Sequence, residues 1–135
     1  MLVVEDDTEI GNLMKLALSR SLMDATLVPT GEEALTRLTT ETYDLILLDI
    51  MLPGISGFDV GRRLQSTPRL QDIPVIFVSG LATPANKEEA RRLGAVDFIE
   101  KPVPRLQFLS RVMGHLRLKA NGEQQTRKQW PVATH

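Results

Sequence analysis

The chain has 135 residues, enough for one domain with a real hydrophobic core. Apolar residues at 42% and charged residues at 24% are ordinary for a globular protein, and a net charge of −1 argues against a polyanion binder as a whole. With no cysteine, disulfides, thiol chemistry and thiolate metal sites are excluded.

Residues 1–5 open as a buried strand, Met1-Leu2-Val3-Val4, that runs into Glu5-Asp6-Asp7. Residues 8–20 place Ile10, Leu13, Met14, Ala17 and Leu18 at helical spacing, with Thr8 or Asp7 as the cap. Ala25–Val28 is a short strand, and Thr30-Gly31-Glu32-Glu33 opens a helix through about Leu38. Asp44–Asp49 is a strand; Pro53, Gly54 and Gly57 make a loop before a short helix over Asp59–Gln65. Pro74–Ser79 is a strand, Ala85–Leu93 a helix that Gly94 can end, and Val96–Ile99 a strand. Pro104–Ala120 reads as a helix with Leu106, Leu109, Val112, Met113 and Leu116 on one side. The apolar runs lack polar alternation, as in strands buried on both faces. Strands alternating with helices predict an α/β domain, a parallel sheet with helices on both faces.

The ends of these strands carry the chemistry. Glu5 and Asp6 follow the first strand, and Asp49 ends Leu45-Ile46-Leu47-Leu48. Ser79 ends Val75-Ile76-Phe77-Val78, and Lys101 lies just past Phe98-Ile99. In parallel sheets ligands bind at the carboxyl ends of the strands, near the reversal of strand order. Acid, acid, hydroxyl and lysine gathered at that edge make a site for a divalent cation and a phosphoryl group. Asp7 is expected to serve as a cap rather than a ligand.

At these positions the chain resembles the receiver domain of two-component response regulators. Val3-Val4-Glu5-Asp6-Asp7, Leu47-Leu48-Asp49-Ile50-Met51-Leu52-Pro53-Gly54-Ile55-Ser56-Gly57, Val75-Ile76-Phe77-Val78-Ser79-Gly80 and Gly94-Ala95-Val96-Asp97-Phe98-Ile99-Glu100-Lys101-Pro102 match its motifs in order. The resemblance runs from residue 1 to about 118 and implies a flavodoxin-like fold with strand order 2-1-3-4-5. It implies that Asp49 accepts a phosphoryl group from a sensor histidine kinase or a histidine phosphotransfer protein, with Mg2+ or Mn2+ as cofactor. Asp6 and Asp49 would hold the cation by carboxylates, Met51 by its backbone carbonyl and Glu5 through water. Lys101 would pair with Asp49 at rest and with the phosphoryl group afterwards, and Ser79 would donate a hydrogen bond to it. Ser79 and Phe98 match the switch pair, and Lys101-Pro102 is expected to be cis. Asp97 and Arg111 match positions of intersubunit ion pairs, which implies a homodimer through the fourth helix, fifth strand and fifth helix. Apolar Met51 and Leu81 would flank the approach of hydrolytic water, implying slow loss of the phosphoryl group.

Other readings fit less well. A phosphatase of the haloacid dehalogenase pattern needs a second aspartate two positions after the nucleophile, where this chain has Met51. A nucleotide-binding domain needs a Gly-rich loop after the first strand, and Glu5-Asp6-Asp7 stands there. A phosphorylation-independent docking module keeps the fold without needing all these side chains. The resemblance thus implies a phosphoacceptor signalling domain rather than an enzyme.

Charge is uneven: residues 1–100 carry 9 Lys and Arg against 16 Asp and Glu, whereas residues 101–135 carry 7 against only Glu123. Cations toward the end of a helix suit its macrodipole, a reading preferred over direct nucleic-acid binding. No signal peptide or span of roughly 20 apolar residues is visible, so a cytoplasmic protein without membrane attachment is expected. The receiver-like domain is assigned to residues 1–120. Asn121–His135 is read as a polar tail or the start of a linker, with an excised fragment favoured over a stand-alone regulator. Met1 falls directly on the first strand pattern, an abrupt start consistent with missing leading residues.

Overall fold

A computed structural model describes residues 1–102 and 104–120; the expectation for Asn121–His135 lies outside the described residues. Strands β1 (Leu2–Val4), β2 (Thr26–Val28), β3 (Ile46–Leu48), β4 (Val75–Ser79) and β5 (Asp97–Glu100) alternate with helices. The helices are α1 (Thr8–Arg20), α2 (Gly31–Leu38), α3 (Gly57–Ser66), α4 (Pro84–Arg92) and α5 (Arg105–Ala120). The strands pair in parallel in the order β2-β1-β3-β4-β5, as the resemblance implied.

That order decides where the helices lie. Right-handed crossovers put a helix on one face when the chain steps one way across the sheet and on the other when it steps back. The step from β1 to β2 runs opposite to all later steps, so α1 stands apart from α2, α3 and α4. The two core layers follow this division. Leu2, Val4, Ile46, Leu48 and Phe77 pack with Ala34, Leu38, Val60, Leu64 and Ala90 of α2, α3 and α4. Val3, Leu47, Ile76 and Val78 pack with Met14, Ala17 and Leu18 of α1 and with Phe108 and Val112 of α5. Successive strand residues thus bury to opposite faces, which is why each run is apolar throughout.

Helix starts are set by caps. Asp7, not Thr8, caps α1: its Oδ1 accepts from the backbone N–H of Ile10 at 3.1 Å. Thr30 and Thr83 cap α2 and α4 in the same manner. Helix α3 starts at Gly57, two residues before the expected start, because Ser56 and Asp59 form a reciprocal capping box. Asp59 is therefore the third helical residue. Gly94 follows α4 at φ +81°, the left-handed conformation expected of a helix-ending glycine.

Helix α5 corrects the expected apolar stripe. Its buried residues are Phe108, Val112 and His115, with Leu109 and Leu116 packed beside them. Leu106 and Met113 are 77% and 43% exposed. The stripe runs through a histidine because β5 supplies that histidine with a carboxylate, Asp97. Among the described residues no helix is long and apolar enough to cross a membrane.

Candidate functional site

The parallel register brings the strand ends side by side. Val4 pairs with Leu48, and the next residue on each strand is Glu5 and Asp49. The Asp49 N–H donates to the Val4 carbonyl at 3.1 Å, and the Glu5 N–H donates to Val28 at 3.0 Å. On the other side of β3, the Lys101 N–H donates to the Ser79 carbonyl at 3.0 Å. Main-chain bonds alone therefore carry acid, acid, hydroxyl and lysine to one edge.

The loop after β3 is pressed tightly against this edge. The Gly57 N–H donates to the Ile50 carbonyl at 2.9 Å, and a Cβ at Gly57 would overlap the Asp49 carbonyl oxygen. Only glycine lets α3 start so close to β3, so Gly57 fixes the backbone that holds Asp49. The sequence marked it only as a loop residue.

Glu5, Asp49 and Ser79 are buried, whereas Asp6 is exposed. One carboxylate oxygen each from Glu5, Asp6 and Asp49 lie within 4.8 Å of one another. The Lys101 ammonium donates to Asp49 Oδ2 at 2.8 Å and also to Glu5 Oε1. The other Asp49 oxygen, Oδ1, accepts from the Met51 N–H at 3.3 Å. Ser79 Oγ accepts from the Leu81 N–H at 3.2 Å. The Lys101-Pro102 peptide bond is cis, as expected.

Three carboxylates against one ammonium leave the site short of positive charge. Burial, reinforced by the neighbouring Asp49 charge, pushes the Glu5 carboxyl up to about 7 against the pull of the Lys101 hydrogen bond. Burial alone would lower the Lys101 ammonium, but its hydrogen bonds to Asp49 and Glu5 outweigh that and raise it above its ordinary value. A set of oxygen donors with surplus negative charge, one of them open to solvent, suits a hard divalent cation that keeps several waters. The donors fit such an ion, with the exposed side of Asp6 leaving room for water.

Phe98 points inward and is buried, its ring stacked on Phe77 with centroids 6.4 Å apart. Asp97 and Arg111 are brought together too, within the chain. Asp97 is fully buried; Arg111 Nε donates to Asp97 Oδ2 at 2.8 Å, and Arg111 Nη2 bonds Oδ1. His115 Nε2 lies 3.1 Å from Oδ2, and the Phe98 N–H donates to Oδ1 at 2.8 Å. Burial would raise the Asp97 carboxyl, but the hydrogen bonds from His115 and Arg111 and the guanidinium charge hold it below its ordinary value. His115 was missed in the sequence. Its signal was its place one turn after Arg111, on the stripe of Phe108 and Val112.

Comparison with known proteins identifies the family and the fold. The model of the response regulator receiver domain matches residues 1–113. The transcriptional regulatory protein RstA of Escherichia coli is 37% identical over 114 residues, 84% of this chain and 46% of that protein. The uncharacterized transcriptional regulatory protein YrkP of Bacillus subtilis is 32% identical over 117 residues, 87% of this chain and 49% of its own length. The chain thus spans about half the length of these curated relatives. Among solved structures, a CheY-like receiver domain protein of Methanospirillum hungatei superposes with a TM-score of 0.83 at 26% identity, covering 90% of this chain and 95% of that one. The BeF3-activated N-terminal receiver domain of Klebsiella pneumoniae RstA superposes with a TM-score of 0.79 at 35% identity, covering 86% and 97%. With its sheet order, its clustered acids and its matched lysine segment, the chain belongs to the response regulator receiver domain family of two-component signalling.

Proposed function

We propose that Asp49 accepts a phosphoryl group from a phosphohistidine of a sensor histidine kinase or a histidine phosphotransfer protein, in a reaction dependent on Mg2+ or Mn2+. One observation carries this reading: Lys101 holds Asp49 at 2.8 Å while Glu5 and Asp6 bring their carboxylate oxygens within 4.8 Å of it. An Asp49 oxygen bonds to phosphorus, the bond from phosphorus to the imidazole nitrogen breaks, and the imidazole leaves with the electron pair. Asp6 and Asp49 would hold the cation by carboxylates, with the Met51 carbonyl and Glu5 as further oxygen donors. When bound, the cation neutralises charge on the phosphoryl oxygens. The protein's part is mainly position and electrostatics.

Lys101 keeps Asp49 oriented at rest and pairs with the phosphoryl oxygens afterwards. Ser79, whose Oγ accepts from the Leu81 N–H, has its hydroxyl proton left to donate a hydrogen bond to a phosphoryl oxygen. The added charge of about −1.5 to −2 biases the packed elements around Ser79 and Phe98 toward a second arrangement. The change is read at the surface of α4, β5 and α5, in the cytoplasm. Apolar Met51 and Leu81 at the rim keep hydrolytic water scarce and the phosphoryl group long-lived.

Intact-protein mass after incubation with acetyl phosphate tests the reading. A gain of one phosphoryl group with Mg2+, absent without the cation and absent in Asp49→Asn, is expected. No gain in the folded protein under any condition favours a docking module that works without phosphorylation.

A further inference from the structure

A side chain of α4 reaches the Ser79 hydroxyl through one intervening residue. Ser79 Oγ accepts from the Leu81 N–H at 3.2 Å, and the Leu81 carbonyl accepts from Asn86 Nδ2 at 2.9 Å. Both sides of the Leu81 backbone are thus held by side chains. Packing does little for this segment: a Cβ at Gly80 would meet nothing within 4 Å, and Leu81 is 40% exposed. Asn86 itself has a fixed frame. Its N–H is held by the Thr83 cap at 3.1 Å, and Pro84 sets the first helical residue. The matching position in α3 is Asp59, whose carboxylate turns back to the N–H of its own cap, Ser56. In α4 the side chain reaches past the cap to the Leu81 carbonyl instead. A carbonyl only accepts, so an amide NH2 serves there and a carboxylate cannot.

We propose that Asn86 is a positioning residue for phosphoryl transfer. It anchors Leu81, and the Leu81 N–H in turn holds Ser79 Oγ in the orientation that leaves the hydroxyl proton to meet a phosphoryl oxygen. Asn86 acts only through Leu81 and Ser79 and touches neither the phosphoryl group nor the cation. The effect on transfer rests on the Asp49 reading; the link from Asn86 to Ser79 in the unphosphorylated protein does not.

Two measurements on the 135-residue chain test this. In the metal-free protein, amide NMR follows the Leu81 N–H. Ser79→Ala removes its acceptor, so the signal moves upfield and exchanges faster with solvent, and Asn86→Ala is expected to move it the same way. With Mg2+ and acetyl phosphate, the rate of mass gain is read. Asn86→Ala should be labelled about fivefold more slowly, the scale of one neutral hydrogen bond, and Ser79→Ala at least as slowly. Added to Ser79→Ala, Asn86→Ala should cost nothing further, the non-additivity of residues that act through one contact. Asn86→Asp keeps the size and suits the start of a helix, so it should lose the rate while melting no lower than the parent. That loss should also vanish in the Ser79→Ala background, whereas a plain effect of the added charge would persist there. An unmoved Leu81 amide in Asn86→Ala overturns the proposal, as does equal slowing by Asn86→Ala with and without the Ser79 hydroxyl. A parent that takes no label sinks the Asp49 reading alone; the Leu81 amide then still decides the link from Asn86 to Ser79.

Discussion

Arg111 of α5 grips Asp97 of β5 with two nitrogens, and His115 one turn later closes on the same carboxylate. The strand that carries Phe98, and that leads to Lys101, is thereby tied to the last helix by a buried ion pair. Asp97→Ala strands a guanidinium whose side chain is only 15% exposed, and breaking such a buried pair costs about 3–5 kcal/mol. His115→Ala removes its hydrogen bond to Asp97 and costs about 1–2 kcal/mol. Urea unfolding at neutral pH measures both; equal, small losses would mean that the carboxylate is not held this way.

The same carboxylate sets an acid limit. Asp97 is held below its ordinary value of 3.8, so its contribution is present above that pH and lost as pH falls through the lower, folded value. Asp97→Asn is therefore expected to flatten the acid limb of stability measured by denaturant unfolding from pH 5 downward.

Glu5 works in the opposite direction. Its carboxyl rises from 4.5 to about 7, so without metal its contribution is present below 4.5 and lost as pH rises through 7. Thermal melts of the metal-free protein should therefore lose stability across that window, and Glu5→Gln should not. A divalent cation that needs Glu5 ionised displaces its proton, so Mg2+ affinity should climb by up to about tenfold per pH unit below 7. Calorimetric titration in buffers of different ionisation heat checks the proton count.

Gly57→Ala drives a methyl group into the Asp49 carbonyl oxygen. Relief requires a backbone shift at the end of β3 or the start of α3. A loss of about 2 kcal/mol is expected, the scale of overpacking a tight core, together with slower labelling by acetyl phosphate. Gly114→Ala, where a Cβ meets nothing within 4 Å, is the control that should retain both.

Leu22 stands at φ +61° just past α1, 97% exposed. A branched L-residue there costs about 1–2 kcal/mol relative to glycine. Leu22→Gly should raise stability by about 1 kcal/mol, read as a shift of the urea midpoint at constant slope.

The main features of fold and site were open to reading from sequence because they rest on local rules. Unbroken apolar runs marked strands covered on both faces, and acids at their ends marked the binding edge before any resemblance was invoked. What stayed hidden depends on contacts distant in sequence. Nothing local says that the Gly57 backbone lies against Asp49 rather than in an open turn. Leu106 and Met113 suit a helical stripe as well as Phe108 and His115 do; the choice is made by Asp97, which accepts a histidine where an apolar side chain would leave the carboxylate short of a partner. Asp97 and Arg111 were singled out in the sequence, but their meeting within the chain depends on how α5 packs beside β5.

The most direct test of the account is to locate the phosphoryl group. After acetyl phosphate and Mg2+, borohydride reduction converts an aspartyl phosphate to homoserine, which peptide mapping can place to a residue. The account requires homoserine at position 49, and none there after Lys101→Ala or Asp6→Ala has weakened the site enough to stop labelling. Homoserine at Asp6 or Asp7, or none in a protein shown to be folded and metal-loaded, would contradict it.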